Sequence, residues 1–355
     1  MKKFLFSTTL FAGLFSNATI RTVSNSPSTT LGQYSTIQSA INASSSGDTI
    51  YVHGSPIDYS GFSFTNKRLV IIGPGWAPDK TYTYAATVSG PSVNLTGAGC
   101  SNTEFQGMVF NSQIIFNNPK CDSIRFIRNR FGSDVLINEP NNTFLNYQFE
   151  GNAFITGTVQ GTVSSIYTNC VFRNNCFFTQ GAAITAFTHS SSTILFDHNL
   201  WLTQGSPDIP CFSNCANLLI TNNIFVRRNA ATGNSNSTFN NNITFNSSNN
   251  TPWNSNSNSD AGGNVANQDP QMAAGAAANN GTTNPLLDFT IAAGPANNTG
   301  SDGKDMGLLY DATGSLNWTN SRNSRFPRIY SMSITNPVIT PGGTLNVNVE
   351  GRKSN

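Results

Sequence analysis

Charge is scarce in this 355-residue chain: Asp, Glu, Lys and Arg make up 10% of it, and 19 basic against 17 acidic groups leave a net charge of +2. An average soluble domain carries roughly 25%. The basic residues form no cluster, and a surface that tracks phosphates needs one, so no nucleic-acid partner is expected. Histidine is scarcer still, at 3 residues. No two carboxylates adjoin. No Cys-x-x-Cys pair occurs either, which argues against structural zinc. Outside the opening segment, no run approaches the roughly 18 apolar residues of a membrane-spanning helix.

The opening segment has a pattern of its own. Met1-Lys2-Lys3 precedes an apolar run from Phe4 to Phe15, and the small residues Ser16 and Ala18 follow it. This is the form of a secretory signal peptide, residues 1–18, cut after Ala18, and the run is too short for a membrane anchor. The expected location is secreted or cell surface.

What the chain has instead of charge is a repeat. An apolar residue, two residues, Asn, one residue and an aromatic recur from Phe126 around Asn129, Phe149 around Asn152, Phe172 around Asn175, Phe196 around Asn199 and Ile220 around Asn223, in steps of 23 or 24 residues. Phe105 with Met108 at the Asn place extends the series upstream, and Phe239 with Asn242 extends it downstream. A unit this short cannot bury its own apolar side chains, so consecutive units must stack. Their apolar residues are Phe, Ile and Val at strand spacing, separated by Ser, Thr, Asn and Gly turns. The fold class expected is all-β, a right-handed parallel β-helix, with the Asn residues stacked in one corner column, where Asn tolerates left-handed backbone. Ile37, Ala40 and Ile41 have helical spacing behind Ser35 or Thr36, which predicts a short helix capping the first coil.

One β-helix domain is expected over residues 19–312, followed by a strand tail over 313–355. In the tail, alternation around Ile329 and around Leu345, Val347 and Val349 predicts a strand pair laid on the solenoid. Between Asn234 and Asn284, the dominance of Asn, Ser, Gly and Ala predicts long corners or a partly mobile loop. All six cysteines follow the expected cleavage site. Cys100 and Cys121 each stand five residues before the first apolar position of their unit, so they are expected as neighbours, either linked as a disulfide or as two buried thiols.

With the helix Thr36-Ile37-Gln38-Ser39-Ala40-Ile41, the turn Gly47-Asp48-Thr49-Ile50, and the closing segment from Asp288-Phe289 through Gly294-Pro295-Ala296 to Asp302-Gly303 and Asp305-Met306-Gly307, the chain resembles the secreted bacterial right-handed parallel β-helix proteins of the pectin-lyase-like superfamily. The resemblance covers about Tyr34 to Leu309. It implies the fold more than the activity, since that superfamily includes lyases, hydrolases, epimerases, phage tailspikes and proteins of no known reaction. The strings a polygalacturonase-like site implies, Asn-Thr-Asp, Asp-Asp, Gly-His-Gly and Arg-Ile-Lys, are absent. No acidic residues recur in a calcium-ligand pattern. The turn at Asp302 and Asp305 has carboxylates of the kind that hold a cation, but it reads better as a closing turn. No cofactor is expected.

One charged constellation remains. Counting one residue past each first apolar position gives Ile127, Glu150, Arg173, Asp197 and Thr221, and the next column holds Arg128 and His198. Stacked about 5 Å apart, Glu150, Arg173, Asp197 and His198 have the types needed to polarise a uronate carboxylate and move a proton. The plainer reading is a surface ladder in which Arg173 bridges both acids. Trp76, Trp253 and Trp318 lie in turn-rich segments where an exposed sugar platform is conceivable, whereas Trp201 occupies a core place. The expectation is a secreted, monomeric rod contacting polysaccharide along its lateral face. A polysaccharide lyase-like enzyme and a structural or adhesive surface protein are the rivals.

Overall fold

Stacked asparagine and phenylalanine columns organise the chain into a parallel β-solenoid of three faces. The structure is a computed structural model that describes residues 18–27, 32–77, 84–118, 120–191, 193–310, 318, 327–334 and 342–353. The expected signal peptide falls almost wholly on residues 1–17, which lie outside the described residues. Each coil contributes short parallel strands to three sheets. The first sheet has 11 strands, from Ile20–Val23 to Ser259–Asp260, the second has 9 and the third has 7. A coil such as that of Arg125–Ile127, Arg130–Phe131 and Val135–Leu136 passes through all three in turn.

The register pairs Phe105, Phe126, Phe149, Phe172, Phe196, Ile220 and Phe239 in succession. All seven are fully buried. Their rings stack nearly parallel, with centroids 4.7 Å apart and planes 2° apart between Phe149 and Phe172. Phe110, Phe131, Phe154, Phe177 and Trp201 make a second stack on the neighbouring sheet. Burying each such ring contributes about 1.5–3 kcal/mol.

The asparagine column lies at the corner between those two sheets and points inward. Asn129, Asn152, Asn175, Asn199, Asn223 and Asn242 are fully buried. Each Oδ1 accepts from the backbone N–H and the Nδ2 of the asparagine one coil before, as Asn175 Oδ1 does from Asn152 at 2.9 and 3.0 Å. Each Nδ2 also donates to a carbonyl of the preceding coil, as Asn175 does to Phe149 at 2.8 Å. The ladder begins at Met108, whose N–H donates to Asn129 Oδ1, and ends at Asn264. One part of the expectation is corrected: the left-handed residue is the one before each ladder asparagine. Arg128, Asn174, His198, Asn222 and Asn241 have φ between 51° and 58°, and glycines 107 and 151 fill the same place.

The helix Ile37–Ala43, capped by the Thr36 side chain, buries Ile37, Ala40 and Ile41 over the first coil. At the other end Trp253 packs against Phe239. The stretch expected as long corners or a partly mobile loop carries strands at Thr238–Asn240, Ile243–Phe245 and Ser259–Asp260 joined by turns. Beyond it the chain folds back over the second sheet: Met272, Ala278, Phe289, Ala296, Met306 and Leu308 cover Val109, Ala153, Cys176, Leu200, Ile224 and Ile243 in a second apolar cluster. The tail strands Pro327–Ile334 and Val347–Lys353 pair antiparallel with each other. Leu345, Val347 and Val349 remain exposed.

Of the two states expected for Cys100 and Cys121, the structure has the buried thiols and not the disulfide. All six cysteines are buried free thiols. Cys100 Sγ lies 3.2 Å from the Thr96 carbonyl and Cys121 Sγ lies 3.3 Å from that of Gly97, so corner carbonyls accept from both thiols. The two are neighbours all the same, and their mutual interaction lowers the Cys100 pKa and raises that of Cys121. The aromatic platform is not formed either: Trp76, Trp253 and Trp318 are all buried. Among the described residues no helix is long and apolar enough to cross a membrane.

Candidate functional site

Alternation along the first sheet places the phenylalanines inward and sends their neighbours to the outer face. The register confirms the charged column, with Ile127, Glu150, Arg173, Asp197 and Thr221 paired in that order. One residue on, the corner turns left-handed and places His198 beside Asp197, φ 53°. A His is tolerated there more readily than a branched residue.

The ion pairing is one-sided. Arg173 Nε lies 3.0 Å from Asp197 Oδ2. Glu150 has no ion pair among the described residues, so Arg173 does not bridge two acids. Asp197 is saturated: its Oδ1 accepts from Thr221 Oγ1 at 2.8 Å and from Asn222 Nδ2 at 2.9 Å. Its side chain is 12% exposed, whereas that of Arg173 is 42% exposed. A carboxylate held by three donors is fixed in place and positions the arginine.

His198 is covered by a segment that sequence spacing does not connect to it. Its Nδ1 lies 3.2 Å from the Gly307 carbonyl, 109 residues along the chain. A carbonyl only accepts, so Nδ1 carries the hydrogen. Nε2 then faces Asp302 Oδ2 at 3.3 Å and Asp197 Oδ1 at 3.9 Å. Asn222 fixes this segment, accepting from the Ser301 N–H through Oδ1 at 2.7 Å and from the Gly307 N–H through its own carbonyl at 2.7 Å. The Leu309 N–H donates to Asn174 Oδ1 at 2.8 Å. The left-handed corner residues therefore serve as its docking points.

Together these groups line a cleft of about 440 Å³, with Arg173, Asp197 and His198 on the solenoid and Asp302 and Lys304 on the closing segment. Glu150 is not among its walls. Of the four candidates, three are brought together and Glu150 is set apart. In the sequence Asp302 reads as part of a closing turn and Lys304 was missed, because nothing in the local sequence of that turn says which corner it reaches.

A second polar hollow, about 380 Å³, lies earlier on the same face, lined by Arg68, Glu104, Arg125 and Gln148 among others. Arg125 Nη1 lies 2.6 Å from Glu104 Oε2, and its Nε donates to Gln148 at 3.0 Å. The outward alternation of Glu104, Arg125 and Gln148 was the available signal for it. A larger hollow of about 500 Å³, between Thr188, Asn214, Asn234 and Asn256, has no charged lining residue. Among the described residues no group of His, Cys, Asp and Glu side chains is placed to hold a metal ion. No protein-family model matches the chain, and no curated protein matches it.

Proposed function

We propose that this is a secreted or cell-surface protein that holds an extended polysaccharide along the outer face of its first sheet. The observation that carries the reading is the pair of polar hollows on that one face, about 380 and 440 Å³, each with a partly exposed arginine. Arg125 and Arg173 are oriented by Glu104 and Asp197 and keep side-chain exposures of 43% and 42%. Two coils separate their strands, or about 10 Å along the axis at one strand spacing per coil. An extended chain of sugars can meet both, whereas a compact ligand cannot. The resemblance of the helix and closing segment to secreted pectin-lyase-like proteins supports the same reading.

Affinity electrophoresis of the mature protein through gels containing neutral or uronate polysaccharides tests it. At least one polymer should retard the wild type, and the double variant Arg125→Ala with Arg173→Ala should lose most of that retardation. Migration unaffected by every polymer would reject polysaccharide contact and favour a structural or adhesive rod.

A lyase-like reaction is the second reading, favoured by the convergence of Arg173, Asp197, His198 and Asp302 on one cleft. New absorbance from unsaturated sugar ends, lost in Arg173→Ala, would establish it. Without that signal the cleft is a binding feature alone.

A further inference from the structure

On the outer side of the second sheet the register column reads Val109, Arg130, Ala153, Cys176, Leu200, Ile224 and Ile243. Every member but Arg130 is apolar and buried beneath the chain that folds back over this sheet. Arg130 is half-buried. Among the described residues its guanidinium has no hydrogen bond and no ion pair, and desolvation alone pushes its pKa down. The side chain opens onto a pocket of about 290 Å³ that it shares with Trp76, Thr283, Asn284, Pro285 and Leu286. Trp76 Nε1 is buried and has no hydrogen-bond partner.

Arg130 is the one cation in an apolar column, half-buried and open to the pocket, so a counter-charge entering the pocket can pair with it without displacing a protein partner. Packing alone would be served by Val, Ala or Leu, as in the neighbouring coils. We propose that this pocket binds a compact monocarboxylate with an apolar body, its carboxylate paired with Arg130 and its body against Trp76 and Pro285. The planar guanidinium matches a carboxylate bidentately. One cation neutralises one negative charge, so a dianionic phosphate would leave a charge uncompensated beside apolar walls. The pocket lies on the second sheet, a corner away from the proposed polysaccharide face, and does not depend on that reading.

Isothermal titration of the full mature protein with benzoate, with benzamide and phenyl phosphate as controls, tests the proposal. Benzoate should bind with a dissociation constant on the order of 1 mM or tighter. Both controls should bind at least about tenfold weaker, the loss expected when one charged pair is missing. Arg130→Leu should weaken benzoate by a similar factor while leaving the melting temperature equal or raised, and Arg130→Gln reads the same loss should the leucine variant not fold. Absence of benzoate binding, equal binding of benzamide, or unchanged benzoate binding in the folded variant would each overturn it. A guanidinium that merely reaches solvent at the pocket mouth gives that last result.

Discussion

At the scale of single residues, burial decides which polar groups matter. Asn175 accepts two hydrogen bonds from Asn152 and donates to Phe149 and to Asn199 Oδ1, all in a region closed to water. Asn175→Ala strands a buried N–H and several further partners at about 1–3 kcal/mol each. A loss of about 3 kcal/mol or more is expected in urea unfolding, and less than half of that for Asn264→Ala at the partly buried end of the ladder. The arginines divide in the same way. Arg228 is fully buried and donates to the carbonyls of Thr179, Gly181 and Pro210. Arg228→Leu removes the partners of those carbonyls and should cost about 3 kcal/mol. Arg173, tied to one acid and open to water, should cost at most about 1 kcal/mol when truncated to alanine. Urea titrations of both variants under one salt condition check the contrast, and an Arg173→Ala loss as large as that of Arg228→Leu would contradict it.

At the scale of elements, the closing segment is what turns a flat sheet face into a cleft, and Asn222 is its main anchor. Asn222 sits at φ 58°, so alanine there would confound the loss of the side chain with backbone strain. Asn222→Gly keeps the conformation and removes the bonds to Ser301 and Asp197. Hydrogen exchange at the Ser301 and Gly307 amides should accelerate at least about tenfold, the effect of losing about 1.4 kcal/mol of local stability, while the Asn152 and Asn175 amides stay protected. Uniform acceleration across the ladder would show that the segment is not an independent unit. Legibility in the sequence follows the same division. The coils, the asparagine and phenylalanine columns and the order of Glu150, Arg173 and Asp197 all repeat at a near-constant step, so position in one coil predicts position in the next, and the capping helix shows in its own helical spacing behind Thr36. The fold-back of Met272 to Leu308, and with it the meeting of His198 with Gly307 and Asp302, has no period to read. The apolar outward residues Val109, Leu200, Ile224 and Ile243 were its one trace, since a sheet face left to water would not carry them. The cysteine pair follows the rule of the coils: equivalent places on adjacent coils bring Cys100 and Cys121 together as buried thiols, one of the two states expected, with corner carbonyls accepting from both.

At the scale of the whole molecule, the interior holds thiols and a phenol that it admits only in their neutral forms. Burial pushes the thiols of Cys170 and Cys215 up to about 12 and that of Cys211 to about 11, with Cys176 and Tyr147 also raised well above their ordinary values. Each is an acid whose folded-state pKa exceeds its unfolded one. Above about pH 8.5, where unfolded cysteines begin to ionise, the unfolded chain holds fewer protons than the folded one, so stability must fall as pH rises. It is fully present below that point and continues to decline until the folded-state values are reached. The slope is up to about 1.4 kcal/mol per pH unit for each group, so several acting together make the effect large. The melting temperature should therefore be steady near neutrality and drop steeply between about pH 9 and pH 11. Replacing Cys176, which lies in the apolar seam of the second sheet, by alanine should make that drop shallower while lowering the neutral-pH stability by about 1 kcal/mol for the lost sulfur. Calorimetric melting across this range checks both parts. A melting temperature that stays level to pH 11 would mean that the thiols reach water in the folded state, which the buried columns do not allow.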